Sequence, residues 1–343
     1  MARLTLINFV REQWSTIPPL ATANLAGKTV VVVGANTGLG FEASKHFARM
    51  NPKRLIMACR NPNKGEAAVG RLKRETGFEA VELWIIDLAN FSSVSEFSRE
   101  FDDDGGRLDI LVQNAGIQTT DHQETSDGWE ITIQVNNLSL PLLALLLLPR
   151  MVETGREHGA IPRLVVVASE VHYWANLEKA VLEGGDILRT LSSKEYCTPE
   201  IMARRYFDSK LLNIFFMRAL NDRLPKSPGS VIVNGVNPGY CYTNLGQNLS
   251  GVRALLDWFM ERLLSHTAEE GSRQLVWASV GGAGTEDELR GAYISRSEIR
   301  EVSDFVLTED GMTAQNNIWD EVINALVRLD SRVQKRVENY LVT

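Results

Sequence analysis

The chain has 343 residues, of which 44% are hydrophobic and 23% charged, a balance that suits one large α/β domain with a sizeable core. Its net charge of −7 excludes nucleic acid as the main partner, because phosphate recognition needs a basic face. Cys59, Cys197 and Cys241 have no CxxC spacing and the five histidines no HExxH spacing, which excludes a disulfide framework and a metal motif and points to a reducing, cytoplasmic setting.

In chain order, residues 1–24 mix apolar and charged positions and read as an N-terminal extension rather than a secretory leader, with a peripheral membrane contact as an open alternative. Thr29–Val33 is rich in β-branched residues and predicts a strand. The glycine-rich stretch Gly34-Ala35-Asn36-Thr37-Gly38-Leu39-Gly40 follows as a turn, and Phe41–Met50 as a helix. Further strands are expected at Arg54–Ala58, Val81–Ile86, Leu108–Val112, Arg163–Val167, Val231–Gly235 and Gly291–Ile294. Helices are expected at Lys64–Thr76, Ser92–Phe101, Trp129–Met151 and Pro199–Leu224. The apolar run Leu138–Pro149 falls short of the roughly twenty residues a spanning helix needs and reads as a buried helix or subunit contact.

Such alternation predicts an α/β, doubly wound fold: a seven-stranded parallel sheet with helices on both faces and ligands at the carboxyl ends of the strands. Residues 173–198 read as an insertion. Residues 240–290 read as a segment over the site, with Tyr240, Tyr242, Leu245, Trp258 and Phe259 giving it an apolar wall to which Tyr173 and Trp174 would add.

Glycines at 34, 38 and 40 permit a tight turn and close approach of backbone to a pyrophosphate, with the following helix aiming its positive end at that anion. The second strand ends in Ala58-Cys59-Arg60, without the acid that would bind a ribose 2′-hydroxyl. Arg60, with Lys64 in support, suits a 2′-phosphate instead, so NADP(H) is the expected cofactor. Asp87 follows the third strand at the height of an adenine, and Asn114-Ala115-Gly116 follows the fourth with side chains small enough for a cofactor to pass.

Tyr206 and Lys210, four apart on a helix, share one face; an ammonium there would lower the phenol pKa and make it an acid–base group. Ser169, after the fifth strand, is placed to hold a substrate oxygen as charge develops. Asn136 sits inside an apolar helix, where asparagine is unfavourable unless it bonds something; one role is holding a water that relays protons to Lys210, and a local backbone bond is the other. Pro238, Gly239 and Thr243 follow the sixth strand, where a nicotinamide carboxamide would sit. No GxSxG elbow supports a hydrolase.

In this order the motifs resemble those of the short-chain dehydrogenase/reductase family over roughly residues 26–300, with the glycine spacing of its common rather than extended type. Ala35–Gly40, Ala58-Cys59-Arg60-Asn61, the long gap from Ser169 to Tyr206, and Tyr206-Phe207-Asp208-Ser209-Lys210 look like the retinol-dehydrogenase-like branch, and the long ends like fungal secondary-metabolism members. The resemblance implies a single Rossmann-type domain over 1–343 and a catalytic tetrad of Asn136, Ser169, Tyr206 and Lys210. The implied cofactor contacts are Gly34, Asn36, Thr37, Gly38, Leu39, Gly40, Arg60, Lys64, Asp87, Leu88, Asn114, Ala115, Gly116, Tyr206, Lys210, Pro238, Gly239 and Thr243. It implies hydride exchange between NADP(H) and a small hydrophobic alcohol or ketone, with helices 129–151 and 199–224 as dimerising faces. The alternative is a catalytically silent NADP-binding sensor or scaffold. Val33, Gln113 and Ala168 depart from the family's usual residues, all outside the tetrad.

Overall fold

A computed structural model of the protein describes residues 5–227, 230–242, 262 and 264–342. The strands are β1 (Thr29–Val33), β2 (Arg54–Cys59), β3 (Val81–Ile85), β4 (Ile110–Gln113), β5 (Arg163–Val167), β6 (Ile232–Asn237), β7 (Tyr293–Ser295) and β8 (Glu298–Arg300). They form one sheet in the order β3-β2-β1-β4-β5-β6-β7-β8. Val31 and Val33 enter the core on one face, Val30 and Val32 on the other. A strand buried on both faces reads as an unbroken β-branched run, which is why β1 lacks alternation. Strand order reverses between β1 and β4, and at such a switch point an open α/β sheet binds its ligand beyond the carboxyl ends of the strands.

Seven strands were expected, and the first seven run parallel; β8 adds an antiparallel edge to β7. Arg296 and Ser297 form the two-residue turn between them, with φ of +57° and +59°. Such turns favour Asn-Gly, so an Arg-Ser pair hides the hairpin from a sequence reading. Holding side-chain-bearing residues there costs about 1–3 kcal/mol each.

Helices Gly38–Arg49, Pro62–Thr76 and Ala268–Val280 cover one face, and Phe91–Asp104, Ile131–His158 and Pro199–Arg223 the other. Ile131–His158 is long and apolar enough to cross a membrane by length and composition, but 94% of its most apolar window is buried, and it serves as the core of that layer. Ala268–Val280, expected over the site, instead packs on Gly38–Arg49 and the sheet.

Two C-terminal helices, Glu309–Leu329 and Arg332–Tyr340, lie on Pro199–Arg223 and on Leu140–His158. Trp319 stacks on Phe216 at 5.9 Å, and Ile318, Val322, Leu326 and Val333 are buried. The chain's own tail therefore lies on the two helices through which a homodimer was a possibility. The insertion is docked there too: the Glu321 carboxylate accepts from Ile187 N and Leu188 N, both at 2.8 Å.

Candidate active site

Register aligns the expected cofactor residues along one edge. Val33 pairs with Ala58 on one side and Gln113 on the other, so Arg60 and Asn114 emerge beside the glycine turn. Gly34 adopts φ +80°, and a Cβ there would meet Ala115 at 2.9 Å; a Cβ on Gly40 would come within 2.3 Å of the Gly34 carbonyl oxygen. Asn114 Nδ2 donates to that same carbonyl (2.9 Å). Gly34, Gly40, Asn114 and Ala115 thus build the turn by mutual contact, a structural role beyond the close approach to a pyrophosphate read from the sequence. The helix starting at Gly38, with Asn36 and its N-cap residue Thr37 just before it and Leu39 in its first turn, directs its positive end toward the carboxyl edge of the sheet. This glycine-lined cradle fits a dinucleotide pyrophosphate.

Arg60, just after β2, and Lys64, in the first turn of Pro62–Thr76, are both exposed, and among the described residues neither is ion-paired. Asn61, between them, caps the next helix by accepting from Lys64 N at 3.0 Å. Asp87 accepts from Ala89 N (2.9 Å) in a local turn. Leu88 turns its side chain into the core, and its carbonyl accepts from Ser139 Oγ (2.6 Å), so this position offers no side chain to the site.

The catalytic candidates converge at the end of β5. Lys210 Nζ donates to the Val167 carbonyl at 2.7 Å and lies 5.4 Å from the Tyr206 ring centroid. Ser169, two residues beyond Val167, opens a short 3₁₀ turn, Glu170–Trp174, that its hydroxyl caps by accepting from Val171 N (3.3 Å). Loss of water pulls the Lys210 ammonium down to about 8 and raises the Tyr206 phenol above its usual value. For Tyr206 burial acts in the opposite sense to the lysine charge and favours the protonated phenol.

Asn136 lies in a π-helical segment, Gln134–Ser139, which the apolar periodicity did not reveal. Its Oδ1 accepts from Ile117 N (3.0 Å), while its Nδ2 donates to the Ile117 carbonyl (3.0 Å) and to Ser209 Oγ (3.1 Å). The amide is therefore spent on a loop nineteen residues away and on the Tyr206 helix, rather than on a bond to its own local backbone. Gly116 lies between Asn136 and Lys210: a Cβ there would stand 3.4 Å from Asn136 Oδ1 and 3.8 Å from Lys210 Nζ. Asn136 thus fixes the Gly116–Ile117 loop beside the lysine.

Four polar residues that the sequence did not single out support this face. His172 accepts from Ser303 N at Nε2 (3.2 Å) and donates from Nδ1 to the Ser169 carbonyl (2.7 Å); burial lowers its pKa to about 4, which keeps the ring neutral. Asn237 Oδ1 accepts from both Glu170 N (3.2 Å) and Gly239 N (3.1 Å), tying the loop after β5 to the loop after β6. Glu170 is buried and pushed up to about 7 by loss of water. Gln13, from the N-terminal extension, donates to Glu170 Oε1 at 3.1 Å. Only the polarity of these residues was visible in sequence, because each also has a partner far along the chain.

Pro238 and Gly239 (φ +80°) leave β6 beside this cluster. Tyr173, expected on the substrate wall, instead packs on His172 and Tyr293 and donates to the Glu301 carbonyl. Trp174 packs on Phe207 at 6.1 Å and on Phe9 at 5.6 Å. Thr243, Leu245, Trp258 and Phe259 lie outside the described residues.

A family model described as short chain dehydrogenase matches residues 28–178. Short-chain dehydrogenase anuD of Penicillium roqueforti is 33% identical over 332 residues, spanning 95% of this chain and 84% of that one. Short chain dehydrogenase atnD of Emericella nidulans is 37% identical over 297 residues, spanning 85% and 91%. Among solved structures, a short-chain dehydrogenase from Sphingobium yanoikuyae in complex with NADPH shares the fold with a TM-score of 0.55 at 22% identity, covering 89% of this chain and 95% of that one. Its motifs, sheet order and relatives together make this chain a member of the short-chain dehydrogenase/reductase family of oxidoreductases.

Proposed function

We propose that the chain is an NADP(H)-dependent oxidoreductase that interconverts a hydrophobic ketone or aldehyde and its alcohol. The observation that carries this reading is the meeting of Tyr206, Lys210 and the Ser169 turn at the end of β5, joined by the 2.7 Å bond from Lys210 to Val167. A phenol that holds its proton is a donor for a carbonyl oxygen, so the arrangement suits reduction. Ser169 would hold that oxygen, and Lys210 would bind ribose hydroxyls and stabilise the phenolate left behind. A bound nicotinamide supplies the hydride.

NADP(H) is preferred because the end of β2 offers Arg60 and Lys64 and no acid; the NADPH complex of the Sphingobium relative is consistent with this. Trp174, Phe207 and Tyr240 favour an apolar substrate. The fungal origin of the relatives supports a place in secondary-metabolite biosynthesis, and three free, buried cysteines suit the cytoplasm.

Titration of the protein with NADPH and NADH, followed by tryptophan quenching or calorimetry, tests the cofactor assignment. NADPH is expected to bind on the order of tenfold or more tightly than NADH, and Arg60→Ala to erase most of that preference. Equal losses for the two nucleotides in Arg60→Ala would remove Arg60 from 2′-phosphate recognition. No binding of either would contradict the oxidoreductase reading and an NADP-binding sensor alike.

A further inference from the structure

The N-terminal segment is built into the face that carries Ser169. Helix Leu6–Gln13 buries Phe9 edge-on against Trp174 (5.6 Å) and Tyr240 (6.3 Å), one ring from each of the two loops that flank the site. Gln13 at its end is 6% exposed. Its Nε2 donates to Glu170, the residue after Ser169, and its Oε1 stands 3.8 Å from where a Gly239 side chain would begin. One side chain thus bonds the turn after β5 and lies beside the loop after β6. Asn237 makes the same link through backbone groups, so Gln13 is its side-chain counterpart from outside the sheet.

The segment is also clamped where it leaves the helix. Arg296, in its left-handed conformation, donates to the carbonyls of Glu12 (2.9 Å) and Thr16 (2.7 Å). A guanidinium at a helix carboxyl end satisfies carbonyls that lack partners in the helix and complements its dipole. Gln274 holds the other half of that turn by accepting from Ser297 N at 2.6 Å. A backbone outlier over-determined by such contacts is the kind of strain found where a position matters to function.

We propose that the N-terminal helix is a positioning element of the active site, with Gln13 holding the Ser169–Glu170 turn against the Pro238-Gly239 loop. This rests on the reading of Ser169 as substrate-facing and Gly239 as cofactor-facing. Without Gln13, the buried Glu170 carboxyl loses a donor, and the tie between the two loops is left to Asn237 and Phe9. A displacement of about 1 Å at reacting groups costs on the order of a hundredfold in rate, so a partial loosening is expected to cost about tenfold.

The test uses the full chain carrying Gln13→Leu, with Phe9→Ala as a second variant should the first fold poorly. Hydrogen–deuterium exchange is measured over 169–175 and 237–242, alongside thermal midpoint, NADPH affinity, and kcat and KM for NADPH-driven reduction of 2-acetonaphthone and a panel of other aromatic ketones. Exchange in both segments is expected to rise about tenfold and kcat to fall about tenfold, with NADPH affinity within about threefold of wild type. Unchanged exchange overturns the proposal. So does faster exchange with unchanged kcat, or a lowered midpoint with full kcat per folded molecule, since a merely structural helix would do that. Wild-type protein that neither binds NADPH nor reduces any ketone sinks the oxidoreductase reading instead, and exchange alone then decides whether Gln13 holds the turn.

Discussion

Lys210 and Glu170 are buried and Tyr206 partly buried within one region, and each responds in its own direction. Lys210 drops to about 8, while Tyr206 and Glu170 rise, so burial pushes every one of them toward its neutral form. For Glu170 this has a consequence for stability. Its folded pKa of about 7 lies above the ordinary 4.5, so the folded chain binds the proton more tightly than the unfolded one. Stability therefore falls as pH rises from about 4.5 to about 7, by at most ~3 kcal/mol. The groups facing it are Gln13, Asn237, Glu12 and Arg296, with Glu12 reinforcing the rise and Arg296 opposing it. Glu170→Gln keeps the shape without the charge. It is expected to stabilise the protein at pH 8 and to do little at pH 4.5, as read from denaturant midpoints of both proteins at both pH values. An equal difference at the two pH values would mean that Glu170 carries no buried-charge penalty. The spacing of Tyr206 and Lys210 was readable in sequence because both sit on one helix. The direction of the Tyr206 shift was not, because counting residues does not reveal how much water reaches a phenol. Nor was the contact of Gln13 with Glu170, which spans 157 residues.

Elements recovered from the sequence are those whose signal is local. The core strands and the long helices appeared near their observed bounds, since β-branched runs and apolar periods report burial directly. The elements missed depend on tertiary support. The β7–β8 turn survives on Arg-Ser because Gln274 and the N-terminal carbonyls hold it, and the π-helical segment around Asn136 is fixed by the Ile117 loop. Ala268–Val280 was assigned to the cover of the site because its apolar face does not say what it packs against. The C-terminal helices carry the largest consequence at this scale. They lie on Pro199–Arg223 and Leu140–His158, the helices through which a homodimer was a possibility. Sedimentation of the full chain is expected to give the mass of a single chain. Removing residues 304–343 would uncover Phe216 and the apolar helix faces and is expected to cause association or loss of the cooperative fold. A full-length dimer joined through those two helices, mapped by exchange protection, would contradict this arrangement.

Across the whole molecule, seven parallel strands deliver motifs from six separate loops to one edge, and their order along the chain was enough to infer that edge before any contact was known. The sheet supplies the alignment: paired registers at Val33, Ala58 and Gln113 bring the glycine turn, Arg60 and Asn114 side by side. What the sequence could not supply is the scaffold that sits over this edge, assembled from the N-terminal helix, the 3₁₀ turn and the β7–β8 hairpin, whose parts are hundreds of residues apart. The most direct test of the account is Tyr206→Phe, which keeps the ring in place and removes the hydroxyl alone. The variant is expected to bind NADPH as the wild type does and to lose turnover of a ketone substrate by on the order of a hundredfold or more. Turnover undiminished in that variant would show that the proton comes from elsewhere, and the assignment of Tyr206, Lys210 and Ser169 as the reacting face would fall with it.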